Sequence, residues 1–200
     1  MEWLPLLVFS YIIGSVPSGY IAGRILKGID LRETGDGNVG AANAFVELGP
    51  NVGALVAAAD VAKGALAVLL ARTLTGSDTA ALVAGGMAVA GHNWPLYLQF
   101  RGGRGAATSL GVLLILAPQV TVMLILAGAV PLLLYRSTRA FFICVFVPIS
   151  PLMWFSGAPT EYIGYVTALP VMVGISHYLS IRRPDPSLKA STDNSTGLRA

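Results

Sequence analysis

Between residues 99 and 114 the chain reads "QFRGGRGAATSLGVLL". Arg101 and Arg104 stand among Gly102, Gly103 and Gly105, and an uncharged apolar run follows at once. Glycine lets backbone amides approach a ligand closely, and guanidinium groups pair with anions, so this stretch suits a phosphate. A helix beginning near Gly105 or Ala106 would add its unpaired N–H groups to the same loop. The lysine–serine pair of a Walker A loop is absent. A loop made basic for membrane topology alone would not need the glycines.

Other polar residues interrupt the apolar chain in the same manner. "GSVPSGYIAGR" carries Ser15, Ser18 and Arg24, with Gly14, Gly19 and Gly23 suited to close helix packing. "GDGNVGAAN" supplies glycines with Asn38 and Asn43, a composition for a tight turn whose amides face a ligand. In "DVAKG", Asp60 and Lys63 are three residues apart and share a helix face. An ionisable pair inside an apolar run is costly and faces the protein interior or a wet cavity, as a structural ion pair or as support for a polar site. His92 opens "GHNWPLYLQFRGGRG", and His177 lies in "GISHYLSIRRP".

The elements that position these residues are membrane spans. Hydrophobic residues make up 54% of the 200, charged residues 12%, against about 25% in soluble domains. Mean hydropathy is +0.70. The expected fold is all-α, a polytopic bundle of about seven helices: 3–23, 51–71, 79–100, a run from 105 to 135 split near Pro118, 140–156 and 162–181. The first stretch lacks a basic leader region and reads as a retained helix. With the N-terminus outside and the C-terminus cytoplasmic, eleven of the thirteen basic residues fall on inner segments, as the positive-inside rule requires. Residues 1–183 then form the membrane domain and 184–200 a polar, disordered tail. The lone Cys144 excludes an internal disulfide. The net charge of +3 reflects this asymmetry and gives no reason to expect nucleic acid.

In order and spacing, "GSVPSGYIAGR", "GIDLRETGDGNVGAANAFVELG", "DVAKG", "GHNWPLYLQFRGGRGAATSLGVLL" and "SHYLSIRR" resemble the bacterial membrane acyltransferases that use acyl phosphate to acylate glycerol 3-phosphate. The resemblance extends to about Arg183. It implies a seven-helix inner-membrane enzyme with a cytoplasmic active site. Its reaction would transfer an acyl chain to the sn-1 hydroxyl, giving lysophosphatidic acid and phosphate, without cofactor or metal. It carries phosphate binding to Arg101, Gly102, Gly103, Arg104 and Gly105. The family's loop motif falls on Gly35, Gly37, Asn38, Gly40 and Asn43, its serine–glycine motif on Ser15, Ser18, Gly19, Gly23 and Arg24, and its C-terminal histidine on His177. The chain departs from the family pattern in having arginines where lysines are usual in the glycine loop, Asp36 where serine is common, and Ser176 and Ser180 flanking His177.

Acyl phosphate is a mixed anhydride with a good leaving group, so direct attack by the glycerol hydroxyl needs no covalent serine. The expected catalytic residues are His177, Ser15, Asn38 and Arg104, with Ser15 a nucleophile lacking an evident base. Arg24, Gly37, Asn43, Lys63, His92, Arg101, Gly102, Gly103 and Gly105 are expected around the substrate phosphates. The proton acceptor is either the substrate phosphate or a histidine, His177 or His92. The expected partners are acyl phosphate, glycerol 3-phosphate and membrane lipid. A divergent relative with another acceptor and a transporter of phosphorylated or lipid substrates are the alternatives.

Overall fold

Proline and glycine set the helix boundaries. In the computed structural model, which describes residues 2–181, α1 (Leu4–Ser15) stops because Val16 precedes Pro17 and is pushed to extended geometry (φ −60°, ψ 114°). The chain resumes as α2 (Ser18–Lys27), which ends on Gly28 at φ +67°. A loop leads to α3 (Ala41–Leu48), then α4 (Pro50–Thr75), opened by proline and closed by left-handed Gly76. Next come α5 (Asp78–Asn93), a 3-10 turn at Leu96–Leu98, α6 (Ala106–Leu116), α7 (Pro118–Tyr135), α8 (Thr138–Phe146), α9 (Ile149–Phe155) and α10 (Thr160–Ile181). The described residues contain no strand.

The apolar runs expected as spans are helical, but the first is broken at Pro17, the third ends early and the run 140–156 is divided between α8 and α9. Five segments are long and apolar enough to cross a bilayer: Leu4–Lys27, Pro50–Thr75, Pro118–Tyr135, Thr138–Phe155 and Thr160–Ser180. The third run, expected to reach residue 100, stops as a helix at Asn93, because Pro95 lacks an N–H and forces Trp94 out of helical geometry. α5 has 16 residues and α6 has 11, hence lengths of about 24 Å and 16 Å against a hydrocarbon thickness of about 30 Å. The tail from 184 to 200 lies outside the described residues, as do Arg182 and Arg183.

Small residues bring the central helices together. A Cβ at Gly14 would overlap the backbone of Ala88, and one at Gly91 the backbone of Tyr11, so α1 and α5 pack almost backbone to backbone. Gly64 against Thr108 and Gly111 against Val61 do the same for α4 and α6. The outer surface is apolar: Phe155 is 84% exposed and Leu133 78%, as lipid-facing positions require. At one end of the bundle Arg72 donates to Asp78, to the Ile115 carbonyl and to the Tyr162 hydroxyl, tying together α4, α5, α6 and α10. The glycine-rich loops lie at the other end.

Candidate active site

The segment 101–105 is folded back onto the end of α5. Gly102 N–H donates to the Asn93 carbonyl at 3.2 Å, and Gly103 N–H to the His92 carbonyl at 3.0 Å. A side chain at 102 would overlap the His92 carbonyl, and one at 103 the His92 ring. Gly105 sits at φ +83°, with the Asn93 amide against its α-carbon. These glycines are therefore required by close approach and by left-handed backbone. The Ser176 hydroxyl donates to the Gly103 carbonyl at 3.3 Å, fastening the loop to α10. α6 then starts at Ala106 without a side-chain cap. The amides of Arg104, Gly105, Ala106, Ala107 and Thr108 have no hydrogen-bond acceptor among the described residues. Open amides at the positive end of a helix dipole form an anion site.

The second loop is organised by Asn43. Its amide donates to the carbonyls of Leu31 (3.1 Å), Thr34 (3.0 Å) and Asn38 (2.9 Å) and accepts from Asp36 N–H (3.2 Å). Gly35 and Gly37 turn the chain at φ +59° and +68°. Asn38 N–H donates to Asp36 Oδ1 at 3.2 Å, while the Asn38 Oδ1 is buried with no partner among the described residues. Alongside, buried Asp30 accepts from Arg32 (2.7 Å) and Arg24 (3.2 Å), and both guanidiniums lie over the Tyr20 ring. Burial opposes ionisation of Asp30, but hydrogen bonds from Arg32 and the nearby charge of Arg24 outweigh it and hold the carboxyl below its usual range.

Behind the glycine loop lies a buried polar cluster. Asp60 Oδ1 meets Lys63 Nζ at 2.9 Å and His92 Nδ1 at 3.5 Å, and accepts the Ser18 hydroxyl. Lys63 also donates to the Val16 carbonyl at 2.9 Å, the group released where Pro17 breaks the first span. One lysine thus satisfies both a buried carboxylate and an orphaned carbonyl. The His92 ring is held between Asp60 and Gly103.

The two loops meet at a single ion pair: Arg104 Nη1 lies 2.8 Å from Asp36 Oδ2. His177, partly buried on α10, is close enough to feel the charges of Arg104, Arg139 and Asp36. Arg101 is exposed at the loop entrance, and Arg24 is half-exposed beside Asp30. Arg104, Asn38, His177, Gly37 and Gly105 are thus brought to one end of the bundle. Other expected residues sit there in different roles. Gly102 and Gly103 have committed their amides to α5, Asn43 is consumed by its own loop, and Lys63 and His92 face Asp60. Ser15 is not exposed to the site: it is fully buried and its hydroxyl donates to the Tyr11 carbonyl one turn back at 2.8 Å, a bond satisfied within α1. The hydroxyl joined to the polar cluster is that of Ser18.

Asn93 and Ser176 were not among the expected site residues. Asn93 is buried, with neither side-chain polar atom partnered among the described residues. The adjacent polar pairs His92–Asn93 and Ser176–His177 at helix ends were the available sequence signal. No group of three or more His, Cys, Asp or Glu among the described residues is arranged to hold a metal.

An arrangement of open amides, cations and a histidine at one end of a bundle of apolar helices can hold phosphate groups close together. The profile of the family described as glycerol-3-phosphate acyltransferase matches residues 4–184. A glycerol-3-phosphate acyltransferase of Dehalococcoides mccartyi is 40% identical over 186 residues, covering 90% of this chain and 98% of that protein. One from Parasynechococcus marenigrum is 38% identical over 197 residues, covering 98% and 91%. The crystal structure of PlsY, an integral membrane glycerol 3-phosphate acyltransferase in its glycerol 3-phosphate form, superposes with a TM-score of 0.82 at 30% identity, covering 92% of each chain.

Proposed function

This chain belongs to the glycerol-3-phosphate acyltransferase family, and on that premise we propose that it acylates the sn-1 hydroxyl of glycerol 3-phosphate with an acyl chain taken from acyl phosphate. The products are lysophosphatidic acid and inorganic phosphate. The site faces the cytoplasm of a bacterial inner membrane, an orientation supported by the basic residues gathered at the loop end of the bundle. PlsY has been solved in a glycerol 3-phosphate form and a lysophosphatidic acid form, which supports the acceptor and the product.

The observation that carries the reading is the meeting of the two loops at Arg104 and Asp36, beside the open start of α6. Arg104, the amides from 104 to 108, and Arg101 at the entrance hold one phosphate. Arg24, Asn38 and His177 are the groups around the other. The glycerol oxygen attacks the acyl carbonyl carbon, the bond from that carbon to the phosphate oxygen breaks, and phosphate leaves. The hydroxyl proton passes to a substrate phosphate, whose second pKa of about 6 suits the task. Asn38 Oδ1 receives a substrate hydroxyl, a role supported by its burial with no partner among the described residues. Asp60, Lys63, Asn43 and His92 position the loops.

The test is release of inorganic phosphate by the purified chain in detergent, given acyl phosphate and glycerol 3-phosphate. Turnover that needs both, with no coenzyme added, supports the reading. Absence of turnover with fully folded protein overturns it.

A further inference from the structure

Arg104 carries a carboxylate where the proposed reaction needs a phosphate. Its Nη1 lies 2.8 Å from Asp36 Oδ2, and its Nε is buried with no partner among the described residues. The other Asp36 oxygen accepts from Asn38 N–H, and the Asp36 N–H donates to Asn43, so the carboxylate is aimed at Arg104 by its own loop. The two partners differ in exposure: the Arg104 side chain is 19% exposed and that of Asp36 46%. The cation is built into the site, whereas the anion opposite it sits at the mouth. Pairs exposed to this degree are weak, so an incoming dianion can replace the carboxylate on the guanidinium. The amides from 104 to 108 favour that exchange, because they can bind a phosphate approaching Arg104 but are not engaged by Asp36.

We propose that Asp36 is an internal counter-ion that occupies Arg104 in the substrate-free enzyme and sets its affinity for phosphate by competing with it. This rests on the acyltransferase reading and adds to it a specificity-determining residue. The carboxylate opposes bound phosphate twice, by holding Arg104 and by direct repulsion. It therefore raises the substrate concentration needed for turnover. It also lowers retention of inorganic phosphate, which the reaction releases in the same site.

The experiment compares the full chain with Asp36→Asn and Asp36→Glu. Asparagine keeps the oxygen that accepts from Asn38 N–H and removes the charge; glutamate keeps the charge. Two readouts are taken: steady-state KM and kcat for acyl phosphate and for glycerol 3-phosphate, and direct titration with inorganic phosphate followed by tryptophan fluorescence. Removing an exposed competitor should tighten phosphate binding by about threefold to fivefold. Asp36→Asn should lower KM for at least one substrate by a similar factor, with the change in KM rather than kcat. The substrate whose KM falls identifies the phosphate held by Arg104. Asp36→Glu should remain near wild type. If Asp36→Asn leaves both KM values and phosphate affinity unchanged, or weakens them, the carboxylate is only a staple between the loops and the proposal fails. Loss of the acyltransferase reading would look different: wild type would bind phosphate without turning over.

Discussion

The ring of His92 fills the space that a side chain at Gly103 would need, while the His92 carbonyl accepts the Gly103 N–H at 3.0 Å. Main chain and side chain of one residue thus grip the same glycine. His92 is itself held through Asp60, so the shape of the 101–105 loop depends on a carboxylate inside the bundle.

Gly103→Ala should therefore reduce kcat/KM by at least about tenfold, roughly 1.4 kcal/mol of transition-state stabilisation, because the added methyl displaces a buried ring. The protein should remain folded, and thermal unfolding in detergent checks that. A fully active Gly103→Ala enzyme would remove His92 from its positioning role.

Asp60→Asn should destabilise the fold by about 3–5 kcal/mol, since Lys63 would become an uncompensated buried cation. Replacing both residues, Asp60→Asn with Lys63→Met, should recover part of that loss but not the activity. Chemical denaturation in mixed micelles provides the measurement, and equal stability of Asp60→Asn and wild type would contradict the pair's burial.

The two serines of the first span should separate cleanly. Ser15→Ala deletes a bond internal to α1 and should cost about 1 kcal/mol of stability or less, with activity retained within about twofold. Ser18→Ala removes an Asp60 partner and should impair activity more. Inactivity of Ser15→Ala with normal folding would revive Ser15 as a nucleophile.

Asn43→Asp is nearly isosteric but has no amide hydrogens to donate to Leu31, Thr34 and Asn38. It should lower kcat/KM about as much as Asn43→Ala. Rescue by aspartate would mean that the oxygen alone matters.

Acid should weaken the loop through Asp30. Its folded pKa lies below the usual value of about 3.9, so the stabilisation from Arg32 and Arg24 is complete above that pH and is lost as pH falls further. Asp30→Asn should lower the Tm at pH 7, and the gap from wild type should close below about pH 4. A gap independent of pH would rule out the ionised carboxylate as its source.

The sequence by itself determined the class of protein, an all-helical membrane acyltransferase. Apolar runs of about 20 residues leave only membrane helices, because the bilayer offers no other way to satisfy the backbone. Pro118 marks the split of the longest apolar run, whereas the breaks at Pro17 and Pro95 fall inside runs read from sequence as continuous. "RGGRG" raises the expectation of an anion because it joins glycines and arginines at a helix start. Tertiary structure alone decided the roles. Asn38 and Asn43 are alike on paper, yet one leaves an oxygen open and the other is consumed by three carbonyls. Ser15 and Ser18 differ by a proline break that turns one toward its own helix and the other toward Asp60. Arg104 and Asp36 are 68 residues apart, and no local periodicity links them. Which polar atoms remain open to a ligand depends on which partners the packed helices bring within hydrogen-bond reach, and that follows from the whole fold.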